Sequence, residues 1–289
     1  MHGDMVGRRS RDRWIYHFTH LDNIAVIFTA GHLACDLMAR EGLTRTEVGD
    51  PAIKQSRRQR SVLAGPGGQV GDYVPFYFAP RSPMMYRIAC EHRDGRPNCY
   101  PDGDRPLVYL VTTVGAVIDT GSDWVATDGN AATATSEFTA NLRAMEEMVD
   151  WPLLTAERWH NTSEDMDRQR RRQAEFLVHQ RLPTRAIRWI GVYDGARRAQ
   201  VSEVLHDHLL ARSRISRRNQ PSCRCGTVEP MSSAMQPPSS VRETCVARLV
   251  QHVGVAIKRP RLPSENDRHN IAGPQFLSDS EHGHGADPR

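Results

Sequence analysis

The sequence predicts a mixed α/β (α+β) domain, a central β-sheet core flanked by helices, filling about residues 13–210 of a 289-residue chain. Three observations predict it. Runs rich in β-branched and aromatic residues, at 13–18 (RWIYHF), 107–114 (LVYLVTTV), 174–180 (AEFLVHQ) and 186–193 (AIRWIGVY), suit strands. Stretches between them carry apolar residues at helical spacing. The aromatic residues then stop: every Trp and Tyr lies at or before Tyr193, and Phe276 is the sole later Phe. Residues 211–289, rich in Ser, Pro, Arg and His, hold too little apolar surface to offset the entropy of ordering them and are expected to be disordered, as are residues 1–12.

Taken in order, the strand at 13–18 leads to Thr19 and then Asp22 at capping-box spacing. Leu21, Ile24, Ala25 and Phe28 make the apolar stripe of a helix that Gly31 stops. Residues 37–70 form a long polar connection with a short helix near 51–59; in a compact domain such connections tend to be functional or disordered. Within it Gly65-Pro-Gly-Gly68 reads as a turn, since no strand precedes it and no Lys-Ser/Thr follows it as a phosphate loop requires. A strand at 73–78, too proline-broken for a helix, precedes a helical turn from Pro83. WVATDGN (124–130) reads as a strand tip entering an Asp-Gly turn, and Phe138, Leu142, Met145 and Val149 mark an amphipathic helix from about Thr135 to Val149. LPT splits the last two strands, and Val201, Val204, Leu205 and Leu209 share one face of a closing helix.

The formal charge of +4 conceals two unlike parts. Residues 1–210 carry 26 basic and 27 acidic side chains, whereas 211–289 carry 12 and 7. The body is near neutral, so any nucleic-acid binding there rests on where individual arginines sit. No apolar run approaches the ~18 residues of a membrane span and MHGDMVGRRSRDR lacks a signal-peptide core, so a soluble, cytoplasmic protein is expected, with Cys35, Cys90 and Cys99 as reduced thiols. Cys223 with Cys225, and His282 with His284, lack the second pair of a metal clip, so no metal is expected. The absence of GxGxxG, HExxH and GxSxG removes dinucleotide-fold, zincin and α/β-hydrolase readings.

Glu175 opens an apolar strand directly after Arg168, Arg170, Arg171 and Arg172. A carboxylate there must be paired, as a structural Glu beside an Arg, or must serve chemistry that tolerates its cost. Tyr16-His17-Phe18-Thr19 places an imidazole and a hydroxyl at a strand end facing a helix N-terminus, either as an ordinary edge histidine or as a ligand contact. Arg57, Arg58 and Arg60 form a basic cluster that reads equally as a solvated face.

Together, YHFTHLDNIAVIFTAGHL, IKQSRRQR, GDYVPFYFAPRSPMMY, TDGN and RRQAEFLV, in that order between about Trp14 and Leu210, resemble the DarT family of NAD-dependent single-stranded-DNA ADP-ribosyltransferase toxins. The resemblance implies an ADP-ribosyltransferase-like fold and transfer of ADP-ribose from NAD to thymidine in single-stranded DNA, with a macrodomain antitoxin, DarG, as partner. It implies NAD contacts at His17, Phe18, Thr19, Asn23 and Gly31, with Leu33 nearby and Tyr77 lining the cleft. It places Arg58 at the reaction centre, contacting NAD or polarising the base, and makes Glu175 the catalytic glutamate. The loop around 40–60 would fold over NAD, and the segment from Asn130 to Glu175 would meet the nucleic acid, with Arg81, Asn130, Arg170, Arg171 and Arg172 as candidate DNA contacts.

The chain departs from that family's pattern after the last helix, where ARSRISRRNQPSCRCGTVEP offers no Val-x-Val-Arg-like strand, which suggests a reading-frame shift near 211–222. Two alternatives stay open: a catalytically impaired DNA- or nucleotide-binding relative, and an ADP-ribosyltransferase acting on protein or RNA, since a catalytic Glu does not specify the acceptor.

Overall fold

A computed structural model describes residues 7, 9–39, 42, 44–218 and 254–257, with side chains as far as His206. The elements are β1 (Trp14–His20), α1 (Asn23–Ala30), β2 (His32–Ala34), α2 (Asp36–Ala39), α3 (Pro51–Gln59), β3 (Tyr73–Tyr77), α4 (Pro83–Arg93), β4 (Leu107–Thr113) and α5 (Val114–Ile118). There follow β5 (Trp124–Thr127), β6 (Phe138–Thr139), α6 (Leu142–Met148), α7 (Trp151–Thr155), α8 (Arg168–Arg171), β7 (Glu175–His179), β8 (Arg181–Pro183), β9 (Trp189–Val192), α9 (Gly195–Arg218) and β10 (Gly254–Ile257).

The main sheet runs β10-β9-β4-β1-β3-β7-β5-β6, and β2 pairs separately with β8. All main-sheet neighbours are antiparallel except β10 and β9. Strand alternation sends Phe76, Phe176 and Val178 into the large core with Ile24 and Phe28 of α1 and Val201 and Leu205 of α9. Leu177 points the opposite way, into a smaller cluster with Val62, Val70, Tyr73, Val125 and Ala131.

The sheet loosens in the middle. β1 meets β4 along seven residues, but meets β3 only at Tyr16 opposite Tyr77. Pro75 explains this. Its carbonyl faces β1, where it accepts a hydrogen bond from Nδ1 of His17 at 2.8 Å. A strand residue's N and C=O point to the same neighbour, so the N–H that proline lacks is one that β1 would have used. A side chain thus replaces a ladder bond where the two halves of the sheet part.

Several expectations change. Thr19 belongs to β1 rather than to a capping box, and its hydroxyl instead accepts from Asn23; Asp22 is the N-cap without a side-chain bond, while Gly31 (φ 76°) ends α1 as expected. The helix expected at 135–149 starts only at Leu142, because Asn141 caps it, accepting from the N–H of Arg143 and Ala144, while Phe138 pairs at the sheet edge with Thr127. Residues 9–12 pack on the body: Ser10 is buried and Arg11 pairs with Asp119. The tail is not structureless throughout. α9 continues through Arg218, and Gly254–Ile257 adds a parallel strand beside Trp189–Val192, an edge position the sequence reading left without a strand. Leu209, Cys223, Cys225, His282 and His284 lie outside the described side chains. No helix among the described residues is long and apolar enough to cross a membrane.

Candidate active site

Glu175 begins β7 with its side chain 1% exposed, opposite Tyr77 of β3. Both terminal nitrogens of Arg57 clasp it, Nη1 donating to Oε1 at 3.0 Å and Nη2 to Oε2 at 2.9 Å. The N–H of Ala131 adds a third bond to Oε1 at 3.0 Å. An ionised carboxylate has about four acceptor positions, so one on Oε2 has no donor among the described residues. Burial alone would lower the pKa of Arg57, but the Glu175 carboxylate outweighs it and the guanidinium is held more firmly protonated than usual.

The turn after β5 builds the third bond. Thr127 accepts the N–H of Glu175 at 3.0 Å and donates to the carbonyl of Gly129 at 2.6 Å, bending the Asp128-Gly129 tip so that Ala131 reaches the carboxylate. Gly129 is required by close approach: a Cβ there would lie 2.5 Å from Nη1 and 2.9 Å from the carbonyl oxygen of Arg170.

Arg57 is delivered by α3, which starts well, with Pro51 at its first position and Asp50 accepting from Ala52 and Ile53, but buries no residue. Charges dock it instead. Asp36 accepts from Lys54 at 2.6 Å and from Nε of Arg58 at 2.7 Å, and both cations hold its carboxyl below the usual range although burial acts the other way. An element docked chiefly by ion pairs rather than by a buried apolar face is a low-stability unit that ligands can reposition.

On the opposite wall His17 is packed deep enough that burial pushes its pKa down to about 4, aided by the charge of Lys54 and opposed by the Pro75 bond. The ring is neutral at pH 7; with Nδ1 donating to Pro75, Nε2 is an acceptor. Phe18 stacks on Tyr77 (6.2 Å between centroids, 14° between planes) and meets Tyr109 edge-on. Burial first, then the Glu175 charge, raises the pKa of Tyr77, which stays a neutral phenol.

The structure therefore brings together Phe18, Tyr77 and Glu175, while His17, next to Phe18 on β1, meets the Pro75 carbonyl and the Phe76 ring instead. Thr19 and Asn23 sit beside them as a clamp: Asn23 donates to Thr19 and to the Thr46 carbonyl and accepts from the N–H of Arg45 and Thr46, holding the 44–46 segment. Gly31 is a helix stop whose carbonyl accepts from Thr184, and the Leu33 side chain lies in the core, so neither presents a side chain to a ligand. Arg58, expected at the reaction centre, pairs with Asp36, and the arginine on Glu175 is Arg57.

The expected DNA arginines separate. Arg170 is tied to Asp128 at 2.8 Å and Asp167 at 2.7 Å, Arg171 to Asp165 at 2.6 Å and Asp150 at 3.3 Å. Arg172 is buried and donates to the Leu153 carbonyl at 2.7 Å. Asn130 donates to Gln173. Arg81 alone of these is exposed. Sequence reading named Arg57 only within a basic cluster and missed Thr127, Ala131, Asp36 and Lys54; the Asp-Gly turn at 128–129 is the local signal that lies beside the carboxylate. No cluster that could hold a metal occurs among the described residues.

The family profile "ssDNA thymidine ADP-ribosyltransferase, DarT" matches residues 16–221. The DNA ADP-ribosyl transferase of Mycobacterium tuberculosis is 36% identical over 201 residues, 68% of this chain and 84% of that protein. A structure of Thermus sp. 2.9 DarT in complex with ADP-ribosylated ssDNA superposes with a TM-score of 0.62 at 30% identity, covering 69% of this chain and 90% of that one; the same protein in complex with NAD+ gives 0.59. A DNA ADP-ribosyl transferase–DNA ADP-ribosyl glycohydrolase fusion protein of Thermosipho africanus is 27% identical over 186 residues, 64% of this chain and 43% of the fusion. With a buried carboxylate clasped at the start of β7 and a family profile covering most of its length, this chain belongs to the DarT family of ssDNA thymidine ADP-ribosyltransferases.

Proposed function

We propose that the chain transfers ADP-ribose from NAD to thymidine in single-stranded DNA and releases nicotinamide. The observation that carries this is Glu175: an almost fully buried carboxylate, bracketed by Arg57 and the Ala131 N–H, with one acceptor position to spare. NAD fits as the substrate, since that position suits a ribose hydroxyl and the Phe18–Tyr77 stack suits a flat ring.

Cleavage of the nicotinamide–ribose bond leaves its electron pair on nicotinamide and positive charge on the ribose, an oxocarbenium-like state. Glu175 favours positive charge on the ribose over the ground state, in which that charge lies on the nicotinamide ring. A thymine ring nitrogen forms the new bond to the ribose carbon as its proton passes to solvent, so the reaction ends with nicotinamide, the modified base and one proton. Arg57 is the cation placed to steady the base as its charge changes; Arg58 steadies Arg57's helix through Asp36. The base must leave any stack to reach a carboxylate this deep, which favours single strands.

The fusion relative supports a biological reading in which a glycohydrolase removes the mark: a toxin in the cytoplasm that blocks replication, countered by a macrodomain antitoxin, DarG. Incubating the chain with NAD labelled in its adenylate moiety and four acceptors, a thymidine-containing single strand, the same strand without thymidine, RNA and protein, tests the reading. Label is expected on the first alone; label confined to RNA or protein overturns it.

A further inference from the structure

From Thr155 to Arg171 no residue is buried, yet the segment is well organised by polar contacts: Thr162 and Asp165 exchange backbone bonds, Asn161 accepts the Gln169 N–H at 2.9 Å, and Arg168 donates to the Arg158 carbonyl at 2.9 Å. A tryptophan in such a segment is not placed there by a core. Trp159 instead meets Tyr86 of α4 at right angles, centroids 5.7 Å apart, and both rings remain partly exposed. Arg81 stands in the chain just ahead of α4, the helix that carries Tyr86. Arg81 is exposed and forms no ion pair among the described residues. The buried Arg172 donates to the carbonyl of Arg81 at 3.4 Å and to that of Leu153, has no acidic partner among the described residues, and feels the Arg81 charge as repulsion. Two guanidinium groups without an acid between them form a locus that an anion would relieve.

Arg81 is tied to the reaction centre through the chain. The segment from Phe78 to Ser82 leaves β3 directly after Tyr77, the register partner of Glu175, and the Phe78 N–H donates to the carbonyl of Ala174 at 3.3 Å. Aromatic faces interleaved with arginine are the chemistry of single-stranded nucleic acid recognition. We propose that Trp159, set by Tyr86, stacks a base flanking the acceptor thymidine and that Arg81 neutralises the phosphate between them. The proposal rests on the reading of the chain as a single-strand ADP-ribosyltransferase.

The test measures binding and transfer separately. Anisotropy of a short labelled single strand with one thymidine, on the full chain, should show Trp159→Ala binding roughly 5- to 100-fold more weakly, the range of one lost base stack, and Trp159→Phe keeping most of the affinity. Arg81→Ala should reduce the slope of log affinity against log salt by about 0.7. Replacing the nucleotide on each side of the thymidine in turn by an abasic unit should weaken wild-type binding at one position, and Trp159→Ala should be insensitive there. The rise in Tm on adding NAD should persist in all variants, showing a folded NAD site. Trp159→Ala that binds as wild type, or that stays fully sensitive to both abasic units, overturns the platform. If wild type binds and discriminates as described but transfers no ADP-ribose, the platform stands and the reaction assignment fails; normal transfer with an indifferent Trp159 gives the reverse.

Discussion

Arg57 and Glu175, 118 positions apart in the sequence, meet in a two-pronged ion pair with Nη1–Oε1 at 3.0 Å and Nη2–Oε2 at 2.9 Å. Removing one member of a buried pair leaves an uncompensated charge and costs about 3–5 kcal/mol. Arg57→Ala should therefore lower both the denaturant midpoint and transfer, and Arg57→Lys, which keeps charge but not the fork, should fall between it and wild type. Arg58→Ala leaves Asp36 with Lys54 and Glu175 with Arg57, so its effects should be smaller. A larger loss of transfer in Arg58→Ala than in Arg57→Ala would return the reaction-centre role to Arg58.

His17 should make stability depend on pH. Its folded pKa, about 4, lies below the unfolded value near 6.5, so the unfolded chain takes up the proton first. The contribution is complete above about pH 6.5 and is lost as pH falls toward 4. His17→Asn keeps a donor for the Pro75 carbonyl and removes the titration. Urea unfolding at pH 7 and pH 4.5 should show wild type losing on the order of 2–3 kcal/mol more than the variant; equal losses would contradict the assignment.

Gly129→Ala should be destabilising although the change is one methyl group. The Arg170 side chain can swing away, but the Arg170 carbonyl at 2.9 Å from the new Cβ is backbone, so the turn that presents Ala131 to Glu175 must shift. A loss of about 1–3 kcal/mol in urea unfolding, with reduced transfer, is expected.

The arginines at 170 and 171 should behave as structural residues. Each holds two carboxylates, so Arg170→Ala or Arg171→Ala should lower Tm while leaving the salt dependence of single-strand binding unchanged. A fall in that slope would show phosphate contact.

What the sequence reveals and what it hides follow the range of the interaction responsible. Strands such as 107–113, the proline-started helix at 51–59 and the glycine stop at 31 depend on local propensity and were legible. The helix expected from Thr135 was shortened by Asn141 and by sheet pairing of Phe138, a tertiary contact overriding an apolar stripe. Glu175 and His17 stood out as polar residues in apolar strands. The choice between Arg57 and Arg58 depends on which face of α3 meets β7, and adjacent identical residues carry no sign of it. Arg170 and Arg171 read as DNA contacts, although Asp165 and Asp167 lie close by in sequence, because their other partners, Asp128 and Asp150, come from distant turns of the chain.

The proposed reaction turns on Glu175 as the carboxylate of transfer. The most direct measurement is the rate at which labelled ADP-ribose enters a single strand with one thymidine, for wild type and for Glu175→Gln, which keeps size and an acceptor oxygen but loses the charge. The account predicts transfer by wild type, a loss of at least about a hundredfold in the variant, and an NAD-induced rise in Tm in both. Transfer by Glu175→Gln at close to the wild-type rate would contradict it.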